Sequence, residues 1–344
     1  MDKEIKGYKD DSNEEKNTET NEKNDLIDKE IEKESEISNE DNNNEIDKEN
    51  QILNISIDKP IEFNKSKLEN IEFESDEDLI EKEDIDINED RIDKNEKKSN
   101  WEVAIGLNEV DNLKPSKYLI ELMQDSIEGK KSYKEVENAL YSYYKELDPN
   151  DEAILQTEEC DLVSVRIVQL LENGSFKFSP ITLKTIHRAL FKDLFKGELE
   201  RYVGEFRDYN ISKKEPILGG DSVIYSDYND LMDILTYDFE EESKKSAKVS
   251  ISRLARFTSS IWQVHPFCEG NTRTTAVFII KYLRSLGYNV NNDLFKENSL
   301  YFRNALVLSN YSDVSRNIRP DFKYLESFFE KLLIDSKVEL EIMK

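Results

Sequence analysis

The chain has 344 residues, with 75 Asp/Glu against 48 Lys/Arg and a formal net charge of −27. That excess repels nucleic acid and anionic membrane, so neither is expected as a partner. The two cysteines, Cys160 and Cys268, are too few for a disulfide framework; with no basic start leading into an apolar run, the expected setting is cytoplasmic.

Residues 1–100 hold 35 acidic and 16 basic side chains, and their aromatics are Tyr8, Phe63 and Phe73. So little apolar surface cannot offset the ordering entropy, and a disordered acidic region is expected there. Composition changes at Trp101, where a small helical segment, 101–150, begins. In it Ser116 starts a helix with an apolar stripe at Tyr118, Leu119, Leu122 and Met123, and Gly129 ends it. Ser132 caps a second helix with Val136, Leu140 and Tyr143/Tyr144 on one face.

Residues 151–334 read as one helix after another. Leu162, Val163, Ile167, Leu170 and Leu171 mark the first. Ser179-Pro180, a cap followed by proline at the first helical position, opens the next, with Leu183, Ile186, Leu190 and Phe191 inward. Further helices are expected around Leu231–Phe239, Ser250–Trp262, Thr274–Leu286, Asp293–Leu308 and Pro320–Leu333, and 335–344 is a tail. Gly287 is the stop after the Thr274–Leu286 helix. Ile211–Tyr225 departs from the pattern. Pro216, Gly219-Gly220-Asp221 and the β-prone Ser222-Val223-Ile224-Tyr225 suggest a short hairpin. The fold class expected is all-α with that one hairpin.

The chemistry concentrates in Val264-His265-Pro-Phe267-Cys268-Glu269-Gly270-Asn271-Thr272-Arg273, a loop between two apolar helices. A helix start offers unpaired N–H groups and a positive dipole end, both suited to phosphate. Gly270 allows close approach of the backbone, and Asn271 and Arg273 add donors. Glu269 is a hard oxygen ligand for Mg²⁺, and His265 is a general base near neutral pH. Zinc is disfavoured: His265, Cys268 and Glu269 leave only one other His and one other Cys in the chain. His187, inside an amphipathic helix, is read as structural.

These residues resemble the Fic family motif HxFx(D/E)GNGRxxR, matching it at His265, Phe267, Glu269, Gly270, Asn271 and Arg273. Ile186–Leu190 and Gly204-Glu-Phe-Arg207 are similar to the helix and turn that precede the family's substrate flap. The resemblance implies a Fic-type helical core over about 152–334 that transfers AMP from ATP to a Ser, Thr or Tyr hydroxyl of a target protein. It implies His265 as base, Phe267 as anchor and Glu269 holding Mg²⁺. Gly270, Asn271, Thr272 and Arg273 would surround the donor phosphates. A flap of Gly219, Gly220, Ser222, Val223, Ile224 and Tyr225 would dock the target. Residues 101–150 loosely resemble the antitoxin-like segments that accompany such cores. Two positions depart from the motif, Thr272 for its second glycine and Ala276 for its second arginine, so the donor stays open. Another nucleotide, kinase-like transfer, removal of AMP, or a weakly catalytic interaction module are the alternatives. A homo-oligomer is left open. No inhibitory (S/T)xxxE(G/N) motif stands in register, although Glu158 and Glu159 are placed to act as its glutamate.

Overall fold

The computed structural model describes residues 92–245, 249–290 and 294–343. Among them ten α-helices form: α1 (Lys94–Asn108), α2 (Lys117–Ile127), α3 (Tyr133–Lys145), α4 (Glu152–Glu172), α5 (Pro180–Phe191), α6 (Leu231–Ser243), α7 (Ile251–Val264), α8 (Asn271–Ser285), α9 (Leu294–Leu308) and α10 (Lys323–Leu333). The caps expected at Ser132 and Ser179 are in place, and Ser116 and Ser250, expected as helix starts, also act as caps. Ser116, Ser132, Ser179 and Ser250 each accept a backbone N–H at the start of α2, α3, α5 and α7, and Ser132 and Glu135 form a reciprocal capping box.

The centre of the fold is α8. Every residue from Asn271 to Leu283 is buried, as in a helix packed on all sides. It touches α1, α4, α5 and α7, while α10 covers α7 and α9 lies against α1 and α10. One apolar core runs through all of these, from Trp101, Leu107 and Leu119 to Phe267, Phe278 and Phe328. Two cations of α8 bind the carbonyls that end α4. Lys281 Nζ donates to Leu170 O (2.5 Å) and Asn173 O (2.7 Å), and Arg284 Nη1 donates to Leu171 O (2.9 Å). These satisfy acceptors that a helix end leaves open.

Three sequence expectations change. First, the expectation of disorder over 1–100 extends too far: α1 begins at Lys94, capped by Asp93, whose carboxylate accepts the Asn95 N–H. The rest of that expectation, residues 1–91, lies outside the described residues. Second, the helix marked from Leu162 onward begins earlier, at Glu152, with Asp151 as its cap. Third, Ile211–Tyr225 carries no strand. Pro216 has no N–H for a ladder and opens a single 3₁₀ turn, Pro216–Leu218, followed by Gly219 and Gly220 at φ 67° and 99°. The arms are tied by Glu215 N–H to Asp221 O (2.8 Å) and Lys213 N–H to Ser222 Oγ (3.2 Å).

Candidate functional site

The loop between α7 and α8 is shaped by its own side chains. His265 ends α7 in the left-handed region (φ 49°), its N–H closing on Trp262 O at 3.0 Å. A residue other than glycine holds that conformation only where the surroundings fix it. Here Arg207 fixes it: Nε donates to His265 O (2.9 Å), Nη2 to Val264 O (3.3 Å), and the Arg207 N–H to Pro266 O (2.8 Å). Asn271 ties the other side, accepting the Phe267 N–H (2.9 Å) and donating to Phe267 O (2.7 Å). Its amide is therefore committed to holding the turn. Phe267, fully buried, stacks on His187 with ring centroids 3.9 Å apart.

His187 is a further tie that sequence reasoning understated. Its Nδ1 accepts the Gly204 N–H (2.9 Å), so Nε2 carries the proton and donates to Glu269 O (3.1 Å). Burial pushes its pKa down to about 3. Gly270 follows at φ 73°, where a Cβ would meet the Phe191 ring at 2.3 Å. Only glycine suits both the angle and the space.

The ring of His265 faces a cleft of about 300 Å³, counted with its open mouth. Nδ1 lies 3.2 Å from Trp262 O, a carbonyl that only accepts, so the proton sits there and Nε2 keeps its lone pair. Nε2 is buried without a hydrogen-bond partner. Tyr225 stacks on the ring at 4.0 Å and Trp262 stands edge-on at 5.1 Å. Burial holds the His265 pKa well below its ordinary value, helped by the positive charges of Lys213, Arg207 and Arg303 and opposed by the Trp262 carbonyl. The imidazole is thus a neutral acceptor aimed into the cleft, as a general base must be.

His265, Glu269, Gly270, Asn271 and Thr272 all line this cleft, and the start of α8 opens onto it. Thr272 Oγ1 accepts the Trp262 indole N–H (3.0 Å). The Glu269 carboxylate, 55% exposed, meets Lys213 Nζ at 2.8 Å. Arg273 is placed elsewhere. Its guanidinium is buried behind the loop, with Nη2 2.6 Å from Glu159, Nε 3.0 Å from Asp111 and Nη1 donating to Asn108 Oδ1 at 3.1 Å, its face over Phe191. In the flap, Val223 and Tyr225 are buried and Ile224 is 79% exposed, its carbonyl accepting from Gln263 Nε2 (2.6 Å). Gly219 and Gly220 turn the chain after Leu218, and Ser222 Oγ accepts the Lys213 N–H.

Four charged lining residues carry no signal in the motif: Asp111, Lys213, Glu215 and Arg303. They come from three separate places in the chain, and only the fold unites them. Glu215, 1% exposed, is neutralised by Arg303 (2.9 Å) and meets the Tyr225 hydroxyl (3.3 Å). For a metal, no group of three or more His, Cys, Asp or Glu side chains gathers among the described residues. Glu269 fits Mg²⁺ only in the mode of a single carboxylate completed by phosphate oxygens and water.

Residues 177–283 match the model of the Fic/DOC family. No curated protein matches the chain. Among solved structures, the crystal structure of a Fic family protein from Desulfovibrio desulfuricans G20 at 2.70 Å resolution is 12% identical, with a TM-score of 0.42 over 70% of this chain. The match spans 65% of that protein's length. Residues 177–283, which hold α5, α6, α7, the loop and all but the last two residues of α8, form a Fic/DOC family domain.

Proposed function

We propose that this domain is a protein adenylyltransferase, moving AMP from ATP to a Ser, Thr or Tyr hydroxyl of a target protein. Fic-type transfer of a nucleotide or phosphate group is the activity class of the domain; the donor and acceptor are the proposal. The observation that carries it is the buried, unpartnered Nε2 of His265 beside the start of α8, which no side chain caps. In this reading Nε2 takes the proton of the target hydroxyl as its oxygen attacks the α-phosphorus. The bond from that phosphorus to the bridging oxygen breaks, and pyrophosphate leaves. The Gly270–Thr272 amides hold the α-phosphate against the base. Mg²⁺, held by Glu269, would neutralise phosphate charge. The exposed Ile224 stretch would register the target by backbone pairing.

Arg273 reaches the donor only by exchanging Asp111 and Glu159 for phosphate oxygens, so the free enzyme is restrained by its own acids. Glu159→Gln should then tighten ATP binding several-fold, read by calorimetry. Unchanged or weaker binding would rule out the restraint.

The central test is incubation with ATP labelled at the α- or at the γ-phosphorus. Retention on protein from the α-position alone supports AMP transfer, whereas retention from the γ-position points to a kinase. His265→Ala should lower transfer at least about 100-fold, in the range of general-base contributions, with an unchanged circular dichroism spectrum. Activity near wild type in that variant would remove His265 as the base.

A further inference from the structure

A polyphosphate brings several negative charges into a cleft of low dielectric, and it stays there only against cationic partners. Three acids, Asp111, Glu215 and Glu269, line the cleft with two cations, Lys213 and Arg303. Neither Arg303 nor the nearby Arg273 is at liberty. Arg303 compensates Glu215, which is 1% exposed, and taking it away would strand a buried carboxylate. Arg273, itself buried, serves Asp111 and Glu159.

Lys213 is different. Its partner Glu269 is 55% exposed and Lys213 itself 29%, and an ion pair so open to water is cheaply exchanged. The backbone of Lys213 is tied by its N–H on Ser222 Oγ, and the residue lines the cleft. Lys213 and His265 line the same cleft, and the positive charge of Lys213 helps to depress the pKa of the imidazole. We propose that Lys213 is the exchangeable cation of the donor site: it leaves Glu269 when a polyphosphate enters, takes the phosphate oxygens, and frees the Glu269 carboxylate for the accompanying metal. This rests on the reading that the cleft takes a polyphosphate.

The test is calorimetric titration of the full-length chain, wild type and Lys213 variants, with inorganic tripolyphosphate and with ATP, in chelator and in Mg²⁺. Lys213→Met and, as a more polar replacement, Lys213→Gln should each weaken tripolyphosphate binding about tenfold, as for loss of one charge-assisted contact, with melting temperatures unchanged. Lys213→Arg should restore most of the affinity. Binding within about twofold of wild type in both neutral variants, the worth of a screened surface charge, would overturn the role of Lys213 and leave the polyphosphate reading standing. A wild-type chain that binds neither tripolyphosphate nor ATP would overturn both.

Discussion

His187 and His265 are the two histidines of the chain, both buried and both held neutral, yet they have opposite duties. Each ring nitrogen of His187 is satisfied, one by Gly204 and one by the Glu269 carbonyl, whereas His265 keeps Nε2 unpartnered. Their low pKa values set the direction of a pH effect. Below about pH 6.5 the unfolded chain takes up protons that the native state refuses, so stability falls as pH falls. For His187 the window runs from about 6.5 down to about 3, with a slope of up to about 1.4 kcal/mol per pH unit. His187→Gln keeps a donor for Glu269 O and should flatten that slope by about one proton, measured by urea unfolding at pH 7 and pH 5. An unaltered slope would mean that His187 titrates in the native state. At this scale the sequence was most legible where neighbours in the chain are neighbours in space. The spacing of His265, Glu269 and Gly270 along one loop exposed the site. It could not reveal the partners of Arg273, because Asn108, Asp111 and Glu159 approach from other helices.

Among the elements, α1 shows why periodicity misses some helices. Its buried face includes Lys97, Asn100 and Asn108, which read as solvent-facing. Asn108 is inside because its amide donates to Ala104 O and Ser164 Oγ and its oxygen accepts from Arg273; Asn100 Oδ1 accepts from Arg284 at 2.8 Å. A polar residue with every group satisfied can be buried, but a hydropathy pattern has no means of recording the satisfaction. The helices with apolar stripes and serine caps, α2, α3, α5 and α7, were legible for the opposite reason. Gly106 in α1 lies so close to α9 that a Cβ would meet Lys296 Cα at 2.3 Å. Gly106→Ala must push two backbones apart, and a loss of about 1–3 kcal/mol is expected in chemical denaturation. A variant as stable as wild type would show that α9 yields at no cost.

For the molecule as a whole, α1 to α3 are joined to the loop-bearing helices by more than sequence. Trp101, Leu107, Leu119 and Tyr133 enter the same core as Val165 and Leu283, and Ser116 binds Asp161 through its N–H at 2.9 Å and its hydroxyl at 2.5 Å. A chain without residues 94–147 should therefore collect in the insoluble fraction, because burying one Leu- or Phe-sized side chain is worth roughly 1.5–3 kcal/mol and many would be bared. Recovery of a soluble, cooperatively melting fragment would show that α4 to α10 form a core of their own. Among the described residues no helix is long and apolar enough to cross a membrane.

The placement of Trp262 has a practical consequence. Its indole N–H is bound to Thr272 at the start of α8, its ring meets His265 edge-on, and it lines the cleft. The chain's other tryptophan, Trp101, is sealed in α1. Replacing Trp101 with Phe would leave a single tryptophan, beside the turn between α7 and α8, so the arrival of the proposed nucleotide should register as a saturable change in tryptophan fluorescence with no dye attached.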